Sequence, residues 1–152
     1  VNIELVVAET PDNSDREIIL QGLRVNNAAA GRPTTIQHAA ILVRNTDSGE
    51  TVGGLWAHTM HDWMFVELLS VPNELRGMGL GSKLMEQAER LAMARNCLGI
   101  WLDTFEFQAP DFYRKMGFEQ CGSIDDHPKG MSRLIFRKRL SAQGAAPSGS
   151  AP

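Results

Sequence analysis

The sequence predicts a mixed α/β (α+β) fold, a six- to seven-stranded, mostly antiparallel sheet with helices packed against it. Three observations carry this. Short segments that alternate apolar and polar residues recur along the chain and read as strands. Longer segments repeat apolar residues at helical spacing. One strand, Trp63 to Val71, is apolar on both faces, which places it centrally in a layered sheet. The predicted order is β-α-β-β-β-α-β-α-β-β.

Asn2 to Ala8 alternates Ile3, Leu5 and Val7 against Asn2 and Glu4 and is the first expected strand. Ser14-Asp15-Arg16-Glu17 has the form of a capping box. A helix should follow, with Ile18, Ile19, Leu23 and Val25 inward, and stop by Gly31, before Arg32-Pro33. His38 to Arg44 and Thr51 to His58 are strands joined by the turn Asp47-Ser48-Gly49-Glu50. His61-Asp62 leads into Trp63 to Val71. Trp63, Phe65, Leu69 and Val71 are expected on one face, Met64, Val66 and Leu68 on the other. After Pro72 comes a glycine-rich segment, then a helix to about Asn96 with the stripe Leu80, Leu84, Ala88, Leu91 and Ala92. Leu98 to Asp103 is a strand, Ala109 to Met116 a short helix closed by Gly117, and Phe118 to Ile124 with Met131 to Arg139 a final strand pair.

Residues 1–140 of the 152 are read as one domain. Ser141 to Pro152 contains only small and polar residues, Gly and Pro, and is read as a disordered tail. The formal net charge of -3 argues against a general nucleic-acid binder, which needs a basic excess. Cys97 and Cys121 form no C-x-x-C and are read as free thiols in a reducing compartment, as small buried hydrophobes. No opening segment resembles a secretory leader, and no apolar run approaches the roughly 18 residues that span a bilayer. A soluble, cytoplasmic protein with no membrane partner is expected. No pair of histidines has metal-ligand spacing with a carboxylate, so no metal is expected.

The segment Arg76-Gly77-Met78-Gly79-Leu80-Gly81 lies between a buried strand and a helix. Glycines there let backbone N–H groups turn toward an anion. The helix N-terminus adds about half a positive charge, and Arg76 adds a fork of donors matched to phosphate oxygens. A P-loop is excluded by the order of Ser82 and Lys83. A dinucleotide fingerprint has Ser82 where its third glycine belongs, although Asp103 lies at a plausible distance for a ribose contact. The third reading fits best. Arg76-x-x-Gly79-x-Gly81 resembles the [QR]-x-x-G-x-[GA] signature of the GNAT acetyltransferase superfamily. Downstream, Ala109-Pro110-Asp111-Phe112-Tyr113-Arg114-Lys115-Met116-Gly117-Phe118 is similar to that family's second pattern, from its alanine onward. The resemblance covers Asn2 to Leu140. It departs where the family has an asparagine and this chain has Glu106; Gln108 is the available stand-in.

The resemblance implies acetyl-CoA as donor and direct attack by a primary amine in a ternary complex. It places the CoA pyrophosphate on Arg76, Gly77, Met78, Gly79, Leu80, Gly81 and Ser82, with Gln108 and Phe112 as further contacts. Backbone groups of Leu69 and Val71 should pair with the pantetheine arm, at a bulge where two strands splay. Tyr113 matches the family's tyrosine near the cofactor sulfur and is the expected acid for the leaving thiolate. Glu67, the one charged residue of Trp63–Val71, is the expected base: a carboxylate in a central strand faces a cleft or bears a large burial cost.

Other residues say less. His58 and His61 are loop histidines within reach of an acceptor site, and His38 and His127 offer nothing specific. Trp56 and Trp101 suit core packing better than an acceptor pocket. Arg133, Arg137, Lys138 and Arg139 read as a solvated strand face. The acceptor is expected to be a small-molecule amine, and Glu67, Asp62 and Glu106 favour a cationic one. A protein or peptide acetyltransferase acting on lysine or an N-terminus is the alternative, as is a non-catalytic acyl-CoA sensor. Tyr113 and Glu67 argue against a sensor, which needs neither. Dimers are frequent in the family, so a homodimer is admitted.

Overall fold

The computed structural model describes residues 1–141; all of the expected tail beyond Ser141 lies outside the described residues. The chain divides into two compact units, Val1–Thr35 and the chain from Ile36 onward.

In the first unit, helix α1 spans Asn13–Ala29. Its N-cap is Asp12, whose side chain accepts from the Ser14 N–H at 3.3 Å, so the helix begins before the expected box. Gly31, at φ +73°, ends it. None of its residues is buried, and Ile18, Ile19, Leu23 and Val25 are exposed rather than inward. The strand expected at Asn2–Ala8 does not form, and Ile3, Leu5 and Val7 are exposed. Alternation makes a segment fit for a sheet, but a strand exists only where a neighbour completes its ladder. The six strands pair among themselves.

The second unit is a sheet in the order β1-β2-β3-β4-β6-β5. Its strands are β1 Gln37–Arg44, β2 Thr51–Met60, β3 Trp63–Ser70, β4 Gly99–Phe105, β5 Glu119–Ile124 and β6 Arg133–Arg139. All pairs are antiparallel except β3–β4. That parallel pair is joined through helix α2, Leu80–Ala94, while α3, Pro110–Lys115, joins β4 to β5. The β2–β3 hairpin turns on His61 and Asp62, both at positive φ, the geometry a two-residue turn requires. Leu84, Met85, Ala88 and Ala92 of α2 are buried with Leu55, Ala57, Met64, Val66, Ile100, Leu102, Leu134 and Phe136 of the sheet. Truncating a fully buried Phe136 to Ala would cost about 3–5 kcal/mol in transfer and cavity energy.

Two irregularities of β3 shape the site. Trp56 pairs with Leu68 and the next residue, Ala57, with Val66, so Glu67 is left over as a bulge. The extra residue shifts the alternation. Met64 and Val66 are buried, and beyond the bulge it is Leu69 and Val71 that pack on the same core, while Leu68 is 63% exposed. The expected face assignment therefore slips by one residue at Glu67. Secondly, β3–β4 pairing stops at Val66–Leu102, although β3 runs on to Ser70 and β4 continues with β6 to Phe105. The central strands part there.

Candidate active site

The parted strands open a cavity of about 1020 Å³. β3 contributes Glu67, Leu68, Leu69 and Ser70, followed by Val71. β4 contributes Leu102, Asp103, Thr104 and Phe105, and β6 contributes Arg133. The α2 end supplies Arg76, Gly77, Gly79, Leu80, Gly81 and Ser82; the α3 side supplies Phe107, Gln108, Ala109, Phe112 and Tyr113. Of the residues named from the sequence for catalysis or donor binding, only Met78 does not line it; Met78 is 60% exposed.

The α2 end gathers positive-φ glycines, an uncapped helix start and an arginine. Gly77 and Gly79 sit at φ +81° and +72°, and nothing lies within 4 Å of where a Cβ would stand on either. Gly79 is the N-cap of α2, with no side-chain cap bond and no acidic residue in the first turn. The first N–H groups of the helix are thus left for a ligand beside the positive end of the helix dipole. Arg76, which precedes them, has no ion pair among the described residues. Gly81 lies flat against Phe112: a Cβ there would come within 3.3 Å of the ring, so glycine lets α2 and α3 close on each other.

Tyr113 is half-buried against the core, with ring contacts to Phe112, Phe118 and Phe136. Burial first, and the Asp103 carboxylate second, push its phenol above the ordinary value. It keeps its proton at neutral pH, as an acid must. Glu67 lines the cavity as the bulged residue and is exposed, so it meets the cleft rather than bearing a burial cost.

Gln108 takes over a structural duty next to the site. Its Oε1 accepts from the Phe105 N–H at 2.9 Å and the Thr104 hydroxyl at 3.0 Å, which leaves its amide N–H groups for the cavity it lines. Glu106 points elsewhere: its Oε1 accepts from the Ser132 N–H at 2.9 Å, bracing the loop before β6. Neither Glu106 nor Asp62 lines the cavity, and neither His58 nor His61 does. Trp56 and Trp101 also lie outside it; Trp101 packs on Phe65 with ring centroids 4.3 Å apart.

Sequence reasoning missed Arg133, Phe105 and Phe107 and gave Asp103 only to a rejected fingerprint. Arg133 is no solvated strand residue. It donates through Nε to Asp103 at 2.8 Å and lies 5.2 Å over the Phe105 ring. No local signal marked them: it is the β4–β6 register that aligns Phe105 with Arg133 and sets Asp103 one step diagonal to it.

A family model described as "Acetyltransferase (GNAT) family" matches residues 11–118. The chain is 35% identical over 129 residues to blasticidin-S acetyltransferase of Streptomyces morookaense, covering 84% of this chain and 93% of that protein. It superposes on a crystal structure of an acetyltransferase from Agrobacterium tumefaciens with a TM-score of 0.84 and 32% identity, over 91% of this chain and all of that one. An acetyltransferase structure from Bacillus cereus gives a TM-score of 0.76 and 30% identity, over 89% of this chain and 98% of that one.

Proposed function

The chain belongs to the GNAT acetyltransferase family and is an acetyl-CoA-dependent acetyltransferase, and from that premise we propose that it N-acetylates a small primary amine. The observation that carries this reading is the single cavity shared by the glycine turn, Glu67 and Tyr113. Action on a small molecule is supported by the relative named for blasticidin S.

Acetyl-CoA supplies an acetyl group activated as a thioester. Arg76 and the backbone N–H groups from Gly77 to Ser82 bind its pyrophosphate, and Gln108 and Phe112 contact the donor near α3. The β3 backbone around Leu69 and Val71, which no longer pairs with β4, receives the pantetheine arm as a strand-like partner. Glu67 takes a proton from the acceptor ammonium through water. The freed amine forms the C–N bond as the C–S bond breaks and sheds its second proton to water, Tyr113 gives its proton to the departing sulfur, and Glu67 then releases its own to solvent. N-acetylamine and CoA are the products, and solvent returns the proton to Tyr113.

The test has two stages. Calorimetry with acetyl-CoA comes first; absence of binding at micromolar concentration would end the assignment of the glycine turn. Release of free CoA is then followed with a panel of small amines and with lysine-bearing peptides. Turnover of peptides alone would replace the small-molecule reading, and binding without turnover of any amine would leave a sensor.

A further inference from the structure

Part of the cavity wall has no duty toward the donor. Glu67, Leu68, Asp103, Phe105, Phe107 and Arg133 line the side formed by the parted strand ends and the loop after β4. Both Arg133 nitrogens that reach Asp103 donate to the same oxygen, Oδ1. Asp103 Oδ2 has no partner among the described residues, in a side chain only 20% exposed. A carboxylate oxygen held in that position calls for a donor or a cation. Arg133 offsets one of the two carboxylates on this wall, and Glu67 has no ion-pair partner among the described residues, so the wall carries net negative charge.

The aromatic half of the wall adds shape. Phe105 and Phe107 stack with centroids 5.2 Å apart and planes 6° from parallel. Arg133 and an edge-on His127 ring back Phe105, whereas Phe107 is 56% exposed and has no other ring or cation against it among the described residues. An open aromatic face attracts cations, and flat ones also gain stacking area.

We propose that Asp103, held by Arg133, and the open face of Phe107 form an acceptor subsite selecting amines that carry a second, flat cation of the guanidinium or amidinium type. This rests on the N-acetyltransferase reading above. Glu67 serves the reacting amine, Asp103 accepts hydrogen bonds from the flat cation, and Phe107 stacks on it.

Three amines of similar length separate charge from shape: agmatine with a flat cation, 1,5-diaminopentane with a compact one, and 5-aminopentanoate with an anion. Each is titrated calorimetrically into the enzyme–CoA complex and assayed for CoA release. Agmatine should bind and react best and 5-aminopentanoate worst. Asp103→Asn should raise the acceptor KM about tenfold and leave the acetyl-CoA KM unchanged. Phe107→Ala, at an exposed position that does not threaten the fold, should lower agmatine affinity about threefold and remove its advantage over 1,5-diaminopentane. The proposal is overturned if 5-aminopentanoate matches agmatine, if none of the three binds the enzyme–CoA complex, or if Asp103→Asn shifts the acetyl-CoA KM instead. Failure of CoA itself to bind would instead defeat the underlying acetyltransfer reading.

Discussion

Tyr113 is the only tyrosine in the chain, so tyrosinate absorbance reports on it alone. Burial and the Asp103 carboxylate both disfavour the charged phenolate, so its titration midpoint should lie above the usual 10.0. Asp103→Asn removes the smaller of these two effects and should lower the midpoint; an unchanged midpoint would separate the two residues electrostatically. Tyr113→Phe should reduce kcat roughly 100-fold, the scale of a lost general acid, with the acetyl-CoA KM within about twofold. Steady-state kinetics decide it, and an undiminished kcat would remove Tyr113 from the chemistry. The two cysteines differ as well. Cys97 is buried, and burial is the first cause that raises its thiol, whereas Cys121 is exposed. A disulfide thiol reagent should therefore modify one cysteine rapidly in the native protein and the second only in denaturant. Exposure of this kind is not written locally: β5 is an edge strand, and Cys121 is the residue its ladder with β6 skips.

Lys138 links the elements that hold the site. From β6 its Nζ donates to Glu89 of α2 at 2.6 Å and to the Met116 carbonyl, the C-cap of α3, at 2.8 Å. The Gly81–Phe112 contact joins the same two helices beside the cavity. Lys138→Met would leave the Glu89 carboxylate and a helix-end carbonyl without their donor, at about 1–3 kcal/mol. Urea denaturation should show that loss as a lower midpoint with an unchanged slope; an unaltered midpoint would make the link ornamental. The sequence places Lys138 in an alternating, solvated run, because charge and periodicity describe a strand face without saying what lies on it. The bulge is comparable. Glu67 stands out as a lone charge in an apolar strand, and that signal rightly points to a cleft. That it is also the residue skipped by the ladder, shifting Leu69 and Val71 onto the core face, depends on β2.

Binding of the donor should stabilise the whole molecule. A ligand at 100 times its Kd adds about 2.7 kcal/mol, which raises Tm by several degrees in a chain of this size. Thermal unfolding with and without acetyl-CoA checks this, and Arg76→Ala should shrink the shift at a fixed acetyl-CoA concentration. Equal shifts in both proteins would mean that Arg76 does not hold the donor. The mixed sheet, its central strand, the amphipathic α2 and the glycine turn were all legible from residues close together in the chain, since periodicity, turn chemistry and glycine spacing act within a few residues. The strand expected at Asn2–Ala8 shows the limit: its alternation is genuine, yet the segment forms no ladder among the described residues. The resemblance implied strands splaying at a bulge, but the place where β3 leaves β4, after Val66–Leu102, and the meeting of Asp103, Phe105, Phe107 and Arg133 across it came only from long-range pairing. A strand's partner, and the open edge where that partner leaves, are properties of two distant segments, so neither segment records them alone.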